Sequence, residues 1–105
     1  MEVVIYRDEH GKEPYTKWLG SIKDLRALAN IDVRLERVRG GNFGDCKSVG
    51  GGVFELRIHY GSGYRIYLGK EGSKIVVLIY GGSKRSQVRD IDKAKGIWKN
   101  YKSDL

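Results

Sequence analysis

Apolar residues recur along the chain with two different periods, and each period predicts a different kind of element. Residues 2–7 (Glu-Val-Val-Ile-Tyr-Arg) are mostly β-branched and aromatic and predict a strand. His10-Gly11-Lys12-Glu13-Pro14 interrupts it, and Pro14 suits the first turn of a helix, where its missing N–H costs nothing. Tyr15, Trp18, Leu19 and Ile22 then stand at i, i+3, i+4 and i+7, one apolar face of a short helix. The phase changes across residues 21–24. Leu25, Leu28, Ile31, Leu35 and Val38 make a second stripe, with Arg26, Arg34, Arg37 and Arg39 outside it, and Gly40-Gly41 stops that helix. Two successive helices with a short joint predict a helical hairpin.

From residue 46 the period becomes two. Phe54, Leu56, Ile58 and Tyr60 fall on one face of a strand, and Glu55, Arg57 and His59 on the other. Gly61-Ser62-Gly63 supplies a turn, residues 64–68 return, and residues 69–73 hold a second turn. Ile75 to Tyr80 is apolar throughout, as expected of a strand covered on both faces. Gly81-Gly82-Ser83 is expected to end it. Ser86 is expected to cap a last helix whose buried stripe is Val88, Ile91, Ala94 or Lys95, Trp98 and Tyr101. The predicted order is β-α-α-β-β-β-β-α. Strands clustered after the helix pair indicate an α+β fold with a mostly antiparallel sheet, and 105 residues suit a single domain over 1–105.

Composition narrows the function classes. The chain has 20 Lys and Arg against 13 Asp and Glu, a net charge of +7, which points to a polyanion such as nucleic acid. An acidic protein partner, or solubility alone, accounts for the same charge. One cysteine, Cys46, forbids an internal disulfide, and two histidines without a Cys-x-x-Cys motif argue against structural zinc. The glycine runs at 50–52 and 81–82 match neither a phosphate-binding loop nor a dinucleotide fingerprint and read as turns. No cofactor, metal or small-molecule substrate is therefore expected. No apolar run approaches the length of a membrane helix, and the N-terminus lacks the pattern of a secretory signal. A cytoplasmic location is the expectation.

The hairpin carries the candidate chemistry. With residues 61–63 as its loop, Tyr60 faces Tyr64, His59 faces Arg65 and Arg57 faces Tyr67, and opposed side chains share a face. Arg57, His59, Arg65 and Tyr67 would then form one polar patch, with Leu56, Ile58, Ile66 and Leu68 turned to the core. Two guanidinium forks match phosphate oxygens, and an imidazole exchanges protons near neutral pH. Such a set suits RNA cleavage by attack of a ribose 2′-OH on its own 3′-phosphate. Tyrosines of the hairpin, Tyr64 among them, offer surfaces for splayed bases. The same residues also fit an ordinary solvated strand face. Lys84 and Arg85, after a Gly-rich turn and before a helix, suit phosphate binding or a solvated charge cluster. His10 lies in a turn with no role expected, Cys46 reads as structural, and Trp18 and Trp98 read as core.

Val53-Phe54-Glu55-Leu56-Arg57-Ile58, Gly63-Tyr64-Arg65-Ile66-Tyr67, Gly81-Gly82-Ser83-Lys84-Arg85-Ser86-Gln87 and Asp90-Ile91-Asp92-Lys93-Ala94 occur in that order. Together with Gly11-Lys12-Glu13-Pro14-Tyr15 and Trp18-Leu19, they resemble the phage-derived, HigB-like addiction-module killer proteins of the RelE/ParE toxin superfamily. The resemblance covers nearly the whole chain. It implies a RelE-like fold, with a helical pair and a C-terminal helix on a curved, mostly antiparallel sheet. It implies a type II toxin with a cognate antitoxin carrying a helix-turn-helix domain, and a metal-free endoribonuclease cutting mRNA on the ribosome. ParE-type relatives instead poison gyrase without being nucleases, and an inactive binding module is a further alternative. By position, Arg57 and His59 match the family's two alternating basic positions, Arg65 its phosphate-stabilising arginine, and Lys84 and Arg85 the basic residues before the last helix. The resemblance supplies no general base, for which His59 is the expected residue with Tyr67 second. Arg57 and Arg65 are expected to stabilise the phosphorane, and Lys84 or Arg85 to hold phosphate or help protonate the leaving group. Arg85, Arg89 and Tyr64 are the expected RNA contacts. Arg89 departs from the pattern, standing near the point where RelE has a catalytic tyrosine and some HigB proteins a histidine or acid.

Overall fold

The two periodicities resolve into five strands and three helices in the computed structural model, which describes residues 1–103. In chain order they are β1 (Glu2–Ile5), α1 (Pro14–Gly20), α2 (Leu25–Arg39), β2 (Cys46–Gly50), β3 (Val53–Ile58), β4 (Tyr64–Glu71), β5 (Ile75–Ser83) and α3 (Gln87–Ser103). A 3-10 turn, Lys84–Ser86, leads into α3. The strands form one sheet in the order β1-β5-β4-β3-β2. β2, β3, β4 and β5 pair antiparallel in succession, while β1 joins β5 in parallel, so the sheet is mixed and the fold is α+β. Among the described residues no helix is long and apolar enough to cross a membrane.

The sheet is covered on both faces. On one, Leu56, Ile58, Ile66, Leu68, Val76 and Leu78 pack with Tyr15 of α1 and Ile31, Leu35 and Val38 of α2. On the other, Val53, Tyr67, Val77 and Ile79 pack with Ala94 and Trp98 of α3. Alternation along the strands thus feeds two apolar layers, which is why β5 reads as continuously hydrophobic. The main contacts of α1 are with β5, and those of α2 with β1 and β3, so the expected helical hairpin is organised by the sheet. Asp24 caps α2, its carboxylate accepting from the Arg26 and Ala27 amides at 2.9 and 3.3 Å.

Two stripe positions differ from expectation for one geometric reason. Leu25 and Val88 are both 79% exposed. Each lies six residues before a buried member of its stripe, Ile31 or Ala94, which places it about 120° away around the helix. The buried line of α3 is instead Asp90, Ala94 and Trp98.

The pair Gly81-Gly82 also differs from its predicted role. It lies inside β5, which continues to Ser83. Between the pairs Leu68–Leu78 and Tyr67–Tyr80 the register shifts, leaving Ile79 as an extra residue. Past this bulge the strand's faces exchange. Gly81 turns to α1, where a Cβ would stand 2.1 Å from the Trp18 ring, and Gly82 turns to α3, where a Cβ would stand 1.8 Å from Asp90 Oδ2. Close approach of side chains on both faces, rather than a turn, requires glycine at both positions.

Candidate nucleic-acid interface

The C-terminal end of β3, the start of β4, the end of β5 and the start of α3 meet at one end of the sheet. β3 and β4 pair with Arg57 opposite Arg65 and Glu55 opposite Tyr67. This is two residues from the expected register. A shift of two keeps every side chain on its expected face but changes its partner. His59 consequently has no strand partner, because the connection takes residues 59–63, closed by the Gly63 amide donating to the Tyr60 carbonyl at 3.0 Å.

Two arginines directly opposite one another repel. The Glu55 carboxylate, 0% exposed, offsets that repulsion. Its Oε1 accepts from Arg57 Nε at 2.8 Å and from Arg65 Nη1 at 3.1 Å. Its Oε2 accepts from Tyr67 Oη at 3.1 Å and from Gln87 Nε2 at 2.9 Å. Burial by itself raises the Glu55 carboxyl. Hydrogen bonds from Arg57 and Gln87, the Arg65 charge and the Tyr67 hydroxyl overcome it and hold the group below its ordinary value. Tyr67 is equally buried, and burial followed by the Glu55 charge pushes its phenol far above the ordinary range. It stays protonated and donates to Glu55. Arg65 is 8% exposed. Tyr15 Oη is the only buried side-chain polar atom without a partner among the described residues. The remaining Arg65 donors therefore reach solvent, and Arg57 is half-buried beside them.

Lys84 and Arg85 follow at the end of β5. Tyr64, expected as an RNA contact, instead turns to the opposite face of the sheet and packs half-buried against the layer of Leu56, Ile58, Ile66 and Leu68, because neighbouring strand residues alternate faces. Tyr64 pairs with Ser83, and a Cβ at Gly63 would touch Lys84 Cβ at 3.6 Å. Ser83 caps the 3-10 turn, its amide donating to Ser86 Oγ at 3.3 Å, and Ser86, directly before α3, has its hydroxyl hydrogen-bonded to the buried Asp90 carboxylate. Lys84 and Arg85 are exposed, and no ion pair among the described residues uses either. Arg89 is exposed, with its Nε 3.9 Å from Asp90 Oδ1. Arg85, Ser86 and Arg89 help line a depression of about 740 Å³.

The His59 imidazole takes no part in the Glu55 network. It is exposed, and its Nε2 hydrogen-bonds Asp45 Oδ2 in the loop before β2. That bond is the main reason the Asp45 carboxyl lies below its ordinary value. The loop is fixed from α2 by Arg34, whose guanidinium donates to the carbonyls of Arg57, Phe43 and Asp45.

Arg57, Arg65 and Tyr67 are thus joined through Glu55. Lys84, Arg85 and Arg89 follow at the end of β5 and the start of α3, Tyr64 lies on the other face of the sheet, and His59 is held by Asp45. The sequence pattern did not single out Glu55, Gln87, Asp90 or Arg34 as organisers. An acidic residue amid the buried positions of β3 was a signal for Glu55; nothing local marked Gln87, whose carboxylate partner lies 32 positions away. The set can bind phosphate through several cations and carries one exposed imidazole–carboxylate pair.

No protein-family model matches the chain. It is 49% identical over 81 residues to a Haemophilus influenzae protein whose description reads "Uncharacterized protein", and the match spans 77% of this chain and 82% of that one. At that identity and coverage, the chain belongs to the same family as the Haemophilus influenzae protein.

Proposed function

We propose that the chain is a RelE-like, HigB-type toxin of a type II toxin–antitoxin module, acting in the cytoplasm as a ribosome-dependent, metal-free mRNA endoribonuclease. The observation that carries this reading is the pairing of Arg57 with Arg65 across β3 and β4, both held by the buried Glu55. Two oriented guanidiniums, with Lys84 and Arg85 adjacent, suit a phosphorane with charge on its equatorial oxygens. In the proposed step, His59 takes the proton of a ribose 2′-OH, and O2′ attacks the adjacent phosphorus. The bond to the 5′-oxygen breaks, that oxygen takes a proton from the Lys84 ammonium, and a 2′,3′-cyclic phosphate remains. Asp45 occupies His59 Nε2, which leaves Nδ1 for the hydroxyl. A cognate antitoxin with a helix-turn-helix domain belongs to the same reading, as do the ribosome and mRNA.

The test is primer extension on an mRNA in a reconstituted translation system, with and without ribosomes. Wild type, His59→Ala, Arg57→Ala and Arg65→Ala are compared, with far-UV circular dichroism to show that each is folded. Cuts that need ribosomes and fall by about 10²-fold or more in the folded variants support the reading. Intact mRNA with wild-type protein overturns it.

A further inference from the structure

A second concavity, of about 840 Å³, lies between α1, α3 and the loop before α1. Its apolar wall includes three half-buried rings, Tyr6, Trp18 and Tyr80. Three lysines from three different elements also line it: Lys12 of the loop, Lys17 of α1 and Lys93 of α3. Lys93 Nζ stands over the Tyr80 ring, 5.0 Å from its centre. β1 pairs only with residues 75–78 of β5, so no strand covers the outer edge of β5 beyond them, and the groove opens there.

The carboxylates in the groove are already engaged. Asp8 accepts from the His10 and Lys12 amides, both at 2.8 Å. Glu13 accepts from Arg7 at 3.0 and 3.1 Å and from the Thr16 hydroxyl at 2.7 Å. None of the three lysines takes part in an ion pair among the described residues. The groove is therefore cationic at its rim and aromatic on its wall. It is also placed in line with the cationic end of the sheet. Arg89, in the depression there, and Lys93, in the groove, are four residues apart on α3 and so stand on one side, a turn apart.

We infer that this groove binds single-stranded nucleic acid, its lysines taking phosphates and the open faces of its half-buried rings taking bases. Spaced cations interleaved with aromatic rings are what a flexible polyanion of planar bases recognises, and every base has a stacking face. An acidic peptide would use the lysines but has no comparable use for three rings. The inference deepens the reading above by giving the nucleotides that flank a cut their own path along α3. It does not require that any cut occur.

The test uses a 2′-O-methyl RNA oligonucleotide, which lacks the attacking hydroxyl and cannot be cleaved by the proposed chemistry. Trp98 is 2% exposed, so quenching of tryptophan emission reports on Trp18. Anisotropy of a labelled oligonucleotide gives the Kd in parallel. The expected result is quenching on binding, and a Kd about tenfold weaker in Trp18→Phe/Tyr80→Leu. In Lys17→Ala and in Lys93→Ala, the slope of log K against log salt should fall by about 0.7 each, one phosphate contact on a single strand. Lys74→Ala, outside the groove, should leave that slope unchanged. Binding without quenching, and with slopes unaltered by the groove lysines, overturns the inference and assigns the oligonucleotide to the Arg57–Arg85 end alone. Poly-glutamate that binds as tightly and displaces the oligonucleotide also overturns it, in favour of an acidic peptide. Quenching with intact mRNA in the translation assay keeps the groove and removes the nuclease.

Discussion

Glu55→Gln is the perturbation that most directly tests how this molecule holds its cations. The substitution keeps shape and volume and removes one negative charge. Four donors converge on the parent carboxylate, two of them guanidiniums. The amide that replaces it presents a donor of its own to two of those donors. Arg65, 8% exposed, loses its only charged partner among the described residues. Removing one member of a buried ion pair costs about 3–5 kcal/mol, and the lower end applies because Arg57 keeps contact with water. At about 3 kcal/mol, a domain of this size should melt roughly 12–24 °C lower. With a urea m-value of about 1–3 kcal/mol/M, the midpoint should fall by about 1–3 M. The pH dependence has a definite sign. The folded Glu55 carboxyl lies below its ordinary 4.5, so its stabilisation is complete above that pH and is lost as the pH falls through the folded value. The gap between parent and variant should therefore be widest above pH 4.5 and shrink in acid. Equilibrium urea unfolding at several pH values measures it. A gap under about 1 kcal/mol at pH 7, with m unchanged, refutes the account of Glu55 as the counter-charge for Arg65.

Three further outcomes are expected. Tyr15 Oη is buried with no partner among the described residues, and burial pushes its phenol up to about 12; Tyr15→Phe should raise stability by about 1 kcal/mol in urea unfolding, and a loss would show a partner at that hydroxyl. Gly82→Ala would drive a Cβ into Asp90 Oδ2 and should cost about 1–3 kcal/mol in a thermal melt, whereas an unchanged melting temperature would contradict the close packing of β5 on α3. His59→Ala removes the hydrogen bond that mainly lowers Asp45, so the Asp45 carboxyl should titrate at a higher pH by carbon-detected NMR, and an unmoved titration would dissolve that pair.

Most elements were legible in the sequence because their signals are local. Proline before the first stripe, glycines after the second, and alternation with turn residues from 46 onward gave the order of strands and helices as it stands. The same alternation placed Arg57, Arg65 and Tyr67 on one face and Leu56, Ile58, Ile66 and Leu68 on the other. Apolar content over Ile75 to Tyr80 disclosed a strand covered on both sides.

Partners were a different matter, because they depend on what is brought together from afar. Hairpin register turns on how many residues the connection takes, and a five-residue connection in place of three put Arg65 opposite Arg57 and left His59 to Asp45. The bulge at Ile79 exchanged the faces of β5 and made Gly81 and Gly82 packing positions against Trp18 and Asp90. The burial of Glu55 required α3 to lie over the polar face of the hairpin with Gln87 at its start. Trp18, on a helical stripe that reads as core, ended half-buried on the wall of a groove because β1 stops before the end of β5. Residue order thus determined which segments become strand or helix, since that preference is written within a few neighbouring positions. Register, bulge and layer stacking decided which charges meet, since a carboxylate finds its four donors only after strands and a helix distant in sequence have packed.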